Sequence, residues 1–148
     1  VQKNDVAYDF TLLDQDGNER TLSKLLVDGP VVLFFFAAAM SAGCTKETCH
    51  FRDLKSEFDA LGAQCVGISM DSPERQAQFA QKNRFDFPLL ADVDGEVARH
   101  YDVKRALNFL KVKRATFVIN QDGTIKDVIT SEVSMSAHAD RALAALRA

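Results

Sequence analysis

Two cysteines five positions apart, Cys44 and Cys49, are the residues of this chain best suited to chemistry. Ahead of them an apolar run, Phe34-Phe35-Phe36, gives way to the small residues Ala37-Ala38-Ala39-Met40-Ser41-Ala42-Gly43. Cys44 then stands where a helix should begin. Unpaired backbone N–H groups and the positive end of the helix dipole favour a thiolate at such a place. Cys49 falls on the predicted polar face of the same helix, beside Asp53, Ser56 and Ala60. Packing alone does not explain a cysteine there, because free cysteine is among the most buried residue types. A reactive thiol with a partner on its own helix implies thiol redox chemistry.

Helix geometry constrains the pair. Positions five apart lie roughly 8–9 Å apart between Cα atoms in an intact helix. A disulfide closes over about 4.4–6.8 Å. The first turns must unwind before such a bond can form, and unwinding costs least at a helix end, where backbone groups already lack partners. Two states are predicted: a helical reduced form and a locally unfolded oxidised form.

Glu47 falls within the apolar stripe of this helix, where a carboxylate is costly unless paired. Arg114, at the mouth of a core strand, is the best candidate partner. Arg105, Lys111 and Lys113 compete with it, and a solvated Glu47 at a frayed helix end is the alternative. Cys65 alternates with Val66 and Ile68 and reads as a core cysteine. His50 follows Cys49, but the pair lacks the further ligands and spacing of a metal site. His100 and His138, on predicted helices, read as surface residues.

The elements that position these groups follow from periodicity and turn signals. Phe10 to Leu13 and Arg20 to Leu22 read as a hairpin about Asp16-Gly17-Asn18. Ser23 is expected to cap a brief helical turn ending at Leu26. Val31 to Phe36 is a continuous apolar run, as in a strand buried on both faces. Cys44 to Leu61 reads as one helix, with Phe51, Leu54, Phe58 and Leu61 in a stripe and Gly62 as its stop. A strand over Gln64 to Ser69 precedes a helix opened by Ser72-Pro73 and ending near Asn83. A short extended piece over Phe87 to Leu90 and a short helix ending near Tyr101 come next. Arg114 to Ile119 and Ile125 to Thr130 form a second hairpin. Ser134 or Ser136 is expected to cap a last helix reaching Arg147. This order predicts an α/β fold, a central mixed β-sheet flanked by helices with an N-terminal β-hairpin. No repeat or linker divides residues 1–148, so one domain is expected.

The chain has 148 residues, 47% of them apolar and 26% charged, with a net charge of −3. That balance lacks the basic stripe of a nucleic-acid binder. No apolar run is long enough to span a bilayer. The polar start Val1-Gln2-Lys3-Asn4-Asp5 shows no secretory signal, and three cysteines do not make a disulfide framework. A cytoplasmic location is expected.

The segment from Phe34 to Asp53, with Cys44-Thr45-Lys46-Glu47 and Cys49-His50-Phe51-Arg52-Asp53, resembles the active-site segment of the peroxiredoxins, and most closely the peroxiredoxin Q, or bacterioferritin comigratory protein, group. Asp9-Phe10-Thr11-Leu12, Val66-Gly67-Ile68-Ser69, Phe87-Pro88-Leu89-Leu90-Ala91-Asp92 and the Arg114 strand extend the resemblance over nearly the whole chain. It implies a thioredoxin-like fold and reduction of hydrogen peroxide and organic hydroperoxides. Cys44 corresponds to the peroxidatic cysteine, Arg114 to the arginine that supports it, and Cys49 to a resolving cysteine on the same helix. Ser41, Gly43, Cys44 and Arg114 are the implied peroxide-binding residues, with Glu47 orienting Arg114. The family pattern has proline where Ala37 and Ala42 stand and threonine where Ser41 stands. The resemblance implies recycling by thioredoxin or a similar dithiol, no metal, flavin or haem, and a monomer, with a dimer as the alternative. Two other readings compete. One is a thioredoxin-like disulfide oxidoreductase, disfavoured because such proteins generally use Cys-x-x-Cys. The other is a redox-sensing module with weakened peroxidase activity.

Overall fold

The computed structural model describes residues 1–104, 112–131, 134 and 136–148. Seven strands form one mixed sheet: β1 (Thr11–Leu13), β2 (Glu19–Thr21), β3 (Val31–Phe35), β4 (Gln64–Ser69), β5 (Leu89–Ala91), β6 (Ala115–Ile119) and β7 (Ile125–Thr130). Their order is β2-β1-β5-β4-β3-β6-β7. The centre is parallel, β3 with β4 and β4 with β5, while β6 and β7 add antiparallel on one side and the β1–β2 hairpin on the other. The described residues also form six helices: α1 (Leu22–Leu25), α2 (Ala42–Asp53), α3 (Lys55–Ala60), α4 (Pro73–Asn83), α5 (Glu96–His100) and α6 (Ala137–Arg147).

β3 is buried along its whole length because both of its faces are covered. Val32, Phe34 and Phe36 point to the layer that contains Cys44, Phe51, Phe58, Phe79 and Leu143. Val31, Leu33 and Phe35 point the other way, toward Leu22, Leu25, Val97 and Tyr101. The period-two alternation of a strand thus separates α2, α3, α4 and α6 from α1 and α5.

Phe34 fixes where α2 sits. Its ring stacks on Phe51 with centroids 4.1 Å apart. Gly67, its neighbour across the β3–β4 pair, makes room for the ring: a Cβ there would lie 2.9 Å from Phe34 Cζ and 2.8 Å from Leu89 Cδ2.

The helix expected over Cys44 to Leu61 is divided. α2 ends at Asp53, Leu54 leaves the helical region with φ −96° and ψ 7°, and α3 follows. No glycine or proline marks the break. Hydrogen bonds meet at Leu54 from both sides, its N–H donating to the His50 carbonyl and its carbonyl accepting from the Phe58 N–H, so the two helices join at a kink there. Phe51 and Phe58 stay on one buried stripe, while Leu61 is exposed. Two expected caps also differ. α1 begins after Thr21, and the Ser23 N–H bonds the Asp9 carboxylate. Ser136 occupies the N-cap position of α6, but its side chain caps nothing. Ser72 does cap α4, accepting from the Arg75 N–H.

Candidate active site

α2 begins at Ala42, two residues before the expected start, so Ser41 is its N-cap residue and Cys44 lies in its first turn. The Ser41 side chain caps no N–H group. Its hydroxyl donates backwards, to the Ala38 carbonyl at 3.0 Å. The Ser41 carbonyl accepts from the Thr45 N–H and from Thr45 Oγ1, and Thr48 Oγ1 donates to the Cys44 carbonyl at 2.7 Å. These bonds tie the first turn to the loop before it.

The Cys44 sulfur is fully buried within the Phe34–Phe51 layer. Arg114 Nη2 donates to it across 3.6 Å. The same guanidinium presents Nε to Glu47 Oε2 at 3.9 Å, and Glu47 is itself fully buried. Arg114 is the last residue before β6, so the β3–β6 pairing delivers it to the end of the strand from which the cysteine loop departs. The structure thus brings together Cys44, Glu47 and Arg114. Lys113 is exposed, and Arg105 and Lys111 lie outside the described residues.

Behind Glu47 stands a residue that sequence reasoning misplaced. His138, expected at the surface, is fully buried, its Nδ1 3.7 Å from Glu47 Oε1. Its Nε2 lies 2.8 Å from the Ser131 carbonyl, which can only accept, so Nε2 carries a proton. Nδ1 bonds Thr116 Oγ1 at 2.8 Å. The buried positions of α6 are His138, Ala139, Ala142 and Leu143, a helical stripe that already contained this histidine. His100 is exposed and stacks on Tyr8.

Cys49 is less open than a polar helix face implies. It is half-buried against the core layer, with its sulfur 3.9 Å from Asn83 Oδ1 at the end of α4. Burial pushes its thiol up, Asp53 adds to this, and Arg52 opposes it. The kink at Leu54 places Ser56 and Ala60, its expected neighbours, on a separate helix. His50 pairs with Asp140 on α6 at 2.8 Å. Among the described residues no cluster of three or more histidine, cysteine or acidic side chains could hold a metal. Cys65 is buried in β4, and burial raises its thiol strongly. All three cysteines are free thiols.

The loop from Ala37 to Met40 has its own supports, which the sequence did not reveal. Asp71 accepts from the Ala39 N–H at 2.7 Å, and Arg75 Nη2 donates to the Ala39 carbonyl at 3.3 Å. Met40 follows with φ +67°, in the left-handed region, a conformation that costs a residue with a Cβ roughly 1–2 kcal/mol.

A mixed sheet of this order, with a buried cysteine and a guanidinium meeting at a helix entrance, defines a thioredoxin-like thiol protein. The chain belongs to the AhpC/TSA family, the peroxiredoxins, whose signature matches residues 4–128. It is similar to the Mycobacterium tuberculosis peroxidoxin BcpB, at 56% identity and a TM-score of 0.95, over 99% of this chain and 97% of that one. The Xanthomonas campestris bacterioferritin comigratory protein superposes with a TM-score of 0.88 at 30% identity, over 99% and 98% of the two chains. The chloroplastic peroxiredoxin Q of Sedum lineare is 36% identical over 147 residues, 99% of this chain and 78% of that protein.

Proposed function

We propose that this chain reduces hydroperoxides through Cys44, with Cys49 resolving the oxidised sulfur. The contact between Arg114 and the Cys44 sulfur carries the reading. A guanidinium 3.6 Å from a buried sulfur stabilises its thiolate. The Xanthomonas campestris relative has alkyl peroxide reduction activity.

The thiolate attacks the terminal oxygen of the hydroperoxide in line with the O–O bond. An S–O bond forms, the O–O bond breaks, and the leaving oxygen takes a proton and departs as water or alcohol. Arg114 stabilises charge on that oxygen, and Glu47 holds Arg114 in place. The Gly43 and Cys44 N–H groups, uncapped by any side chain, face the same end of the helix. With its proton committed to Ala38, the Ser41 hydroxyl can accept from the peroxide O–H.

Cys44 is left as a sulfenic acid. The first turns of α2 then open, the Cys49 sulfur displaces hydroxide as water, and a disulfide forms. In the closed form the raised Cys49 thiol is a poor nucleophile; opening returns it to water and to its usual range. Thioredoxin or a similar dithiol reduces the disulfide by exchange. The site needs no metal, flavin or haem, and the chain acts as a monomer in the cytoplasm.

The test treats reduced protein with one equivalent of hydrogen peroxide. The Cys44 and Cys49 thiols should be lost together while Cys65 stays free, and Cys44→Ser should consume no peroxide. Insulin reduction without peroxide consumption would support a disulfide oxidoreductase instead. A peroxide rate no faster than that of free cysteine would support a sensor.

A further inference from the structure

We propose that Asp71 and Arg75 are positioning residues for peroxide attack, acting as a polar clamp on Ala39. The inference rests on Cys44 being the peroxide nucleophile and explains how its loop is held ready. Ala37 and Ala39 bury only a methyl group in the core layer, which fixes no peptide plane, and any freedom left in the loop is conformational entropy that binding would have to remove. Met40 adds a left-handed turn with no glycine to ease it, and such a residue persists only where its surroundings over-determine it.

The clamp supplies that determination. Asp71 Oδ2 takes the Ala39 N–H at 2.7 Å, and Arg75 Nη2 gives to the Ala39 carbonyl at 3.3 Å. Arg75 Nε joins the two by bonding Asp71 Oδ1 at 3.3 Å. Both backbone polar groups of one alanine are thus gripped by one ion pair, which fixes the peptide planes on each side of it.

The grip is anchored in the fold. Ser69 Oγ, at the end of β4, donates to Asp71 Oδ2 at 2.6 Å and accepts from Gln76 Nε2 of α4. Gln76 also reaches the Leu90 carbonyl of β5. The next residue after the clamped alanine makes the left-handed turn, and the one after that is Ser41, whose carbonyl starts α2. Neither clamp residue touches the Cys44 sulfur. The clamp therefore governs where peroxide is met, and leaves the thiolate itself alone.

That separation gives the test. Peroxide reduction needs the oriented loop, whereas alkylation by iodoacetamide of Cys44, buried in the closed form, needs only that the loop open. Both second-order rates are measured for the wild type, Asp71→Ala, Asp71→Asn and Arg75→Met, together with hydrogen exchange at the Ala39 amide. Asp71→Ala should lower the peroxide rate about 10–100-fold, the scale of a misplaced reacting group. Its alkylation rate should hold or rise, because a looser loop uncovers the buried sulfur, and the Ala39 amide should lose protection. Asp71→Asn keeps an acceptor for Ala39 and should recover most of the loss. Arg75→Met, on a half-exposed side chain, carries the test if Asp71→Ala does not fold, with an expected drop of about 3–10-fold. Unchanged peroxide rates in Asp71→Ala and Arg75→Met, or peroxide and alkylation rates falling in parallel, would overturn the clamp. A wild-type protein indifferent to peroxide would instead sink the peroxidase reading, and amide exchange would still report on the clamp.

Discussion

Replacing Arg114 by methionine removes the cation beside Cys44 while keeping most of the side chain's length. At 3.6 Å and an effective dielectric of about 20, a guanidinium and a thiolate attract by about 4–5 kcal/mol. The Glu47 carboxylate, 3.9 Å from the same guanidinium, offsets part of this. What remains compares with the roughly 2.7–4 kcal/mol lost when one donor is removed from an oxyanion site. The second-order rate with hydrogen peroxide should therefore fall about 10²–10³-fold in stopped-flow measurements. Arg114→Lys keeps a charge but not the fork that serves both Cys44 and Glu47, and should fall about 10–100-fold. Methionine also takes the guanidinium from Glu47, which keeps His138 Nδ1 at 3.7 Å from its other oxygen, and the fold loses at most about 3–5 kcal/mol. The double variant Arg114→Met/Glu47→Gln separates the two effects: stability should return and the rate should not. A single Arg114→Met variant within about 3-fold of the wild type would refute the argument, as would a double variant that recovers the rate.

Cys49→Ser should consume one equivalent of peroxide and stop, with Cys44 trapped as a sulfenic or overoxidised acid by mass spectrometry; normal cycling with thioredoxin would remove Cys49 from the mechanism. Thr48→Val deletes the hydroxyl that ties the Cys44 carbonyl to the next turn, a bond worth about 1 kcal/mol, so disulfide formation after oxidation should quicken about 5-fold, followed by quenched thiol labelling. Asp14 links the β1–β2 hairpin. Burial pushes its carboxyl up, but Arg20 and the Asn18 and Asp16 N–H groups outweigh this and hold it below the ordinary range. A depressed carboxyl contributes stability above the unfolded value, near pH 4, and loses it as pH falls through the folded one. Asp14→Asn should then cost about 1–3 kcal/mol at pH 7 in urea denaturation and progressively less below about pH 4.

How much was legible depended on what each residue's signal encodes. The continuous apolar run at Val31 to Phe36 and the Ser72-Pro73 helix start are local patterns, and both elements lie within a residue of their expected bounds. Cys44 could be chosen because it stands at a helix entrance with a second cysteine on the same helix, and Glu47 and Arg114 because a carboxylate on an apolar stripe demands a partner. The kink at Leu54 could not be read, since no glycine or proline marks it and the buried phenylalanines continue past it on one stripe. His138 was missed because histidine tolerates either surface or core; its place on the Ala139–Ala142–Leu143 stripe pointed inward, and the contacts of Glu47, Thr116 and Ser131 show what it meets there. Asp71 and Arg75 were hidden for another reason. They read as the ordinary start of a helix, and their target is the backbone of Ala39, 32 residues before Asp71 and 36 before Arg75, which no side-chain pattern announces.

The kink at Leu54 has a bearing on repeated turnover. A helix that must melt to let two sulfurs meet risks dragging its neighbours with it. Here the ring of Phe51 is wedged between Phe34 and Phe58, and just beyond it the helix changes direction. Disorder starting at Ser41 meets that wedge before it reaches α3. In the proposed cycle the joint would act as a firebreak, letting each turnover spend the order of a few residues while the sheet beneath keeps its shape.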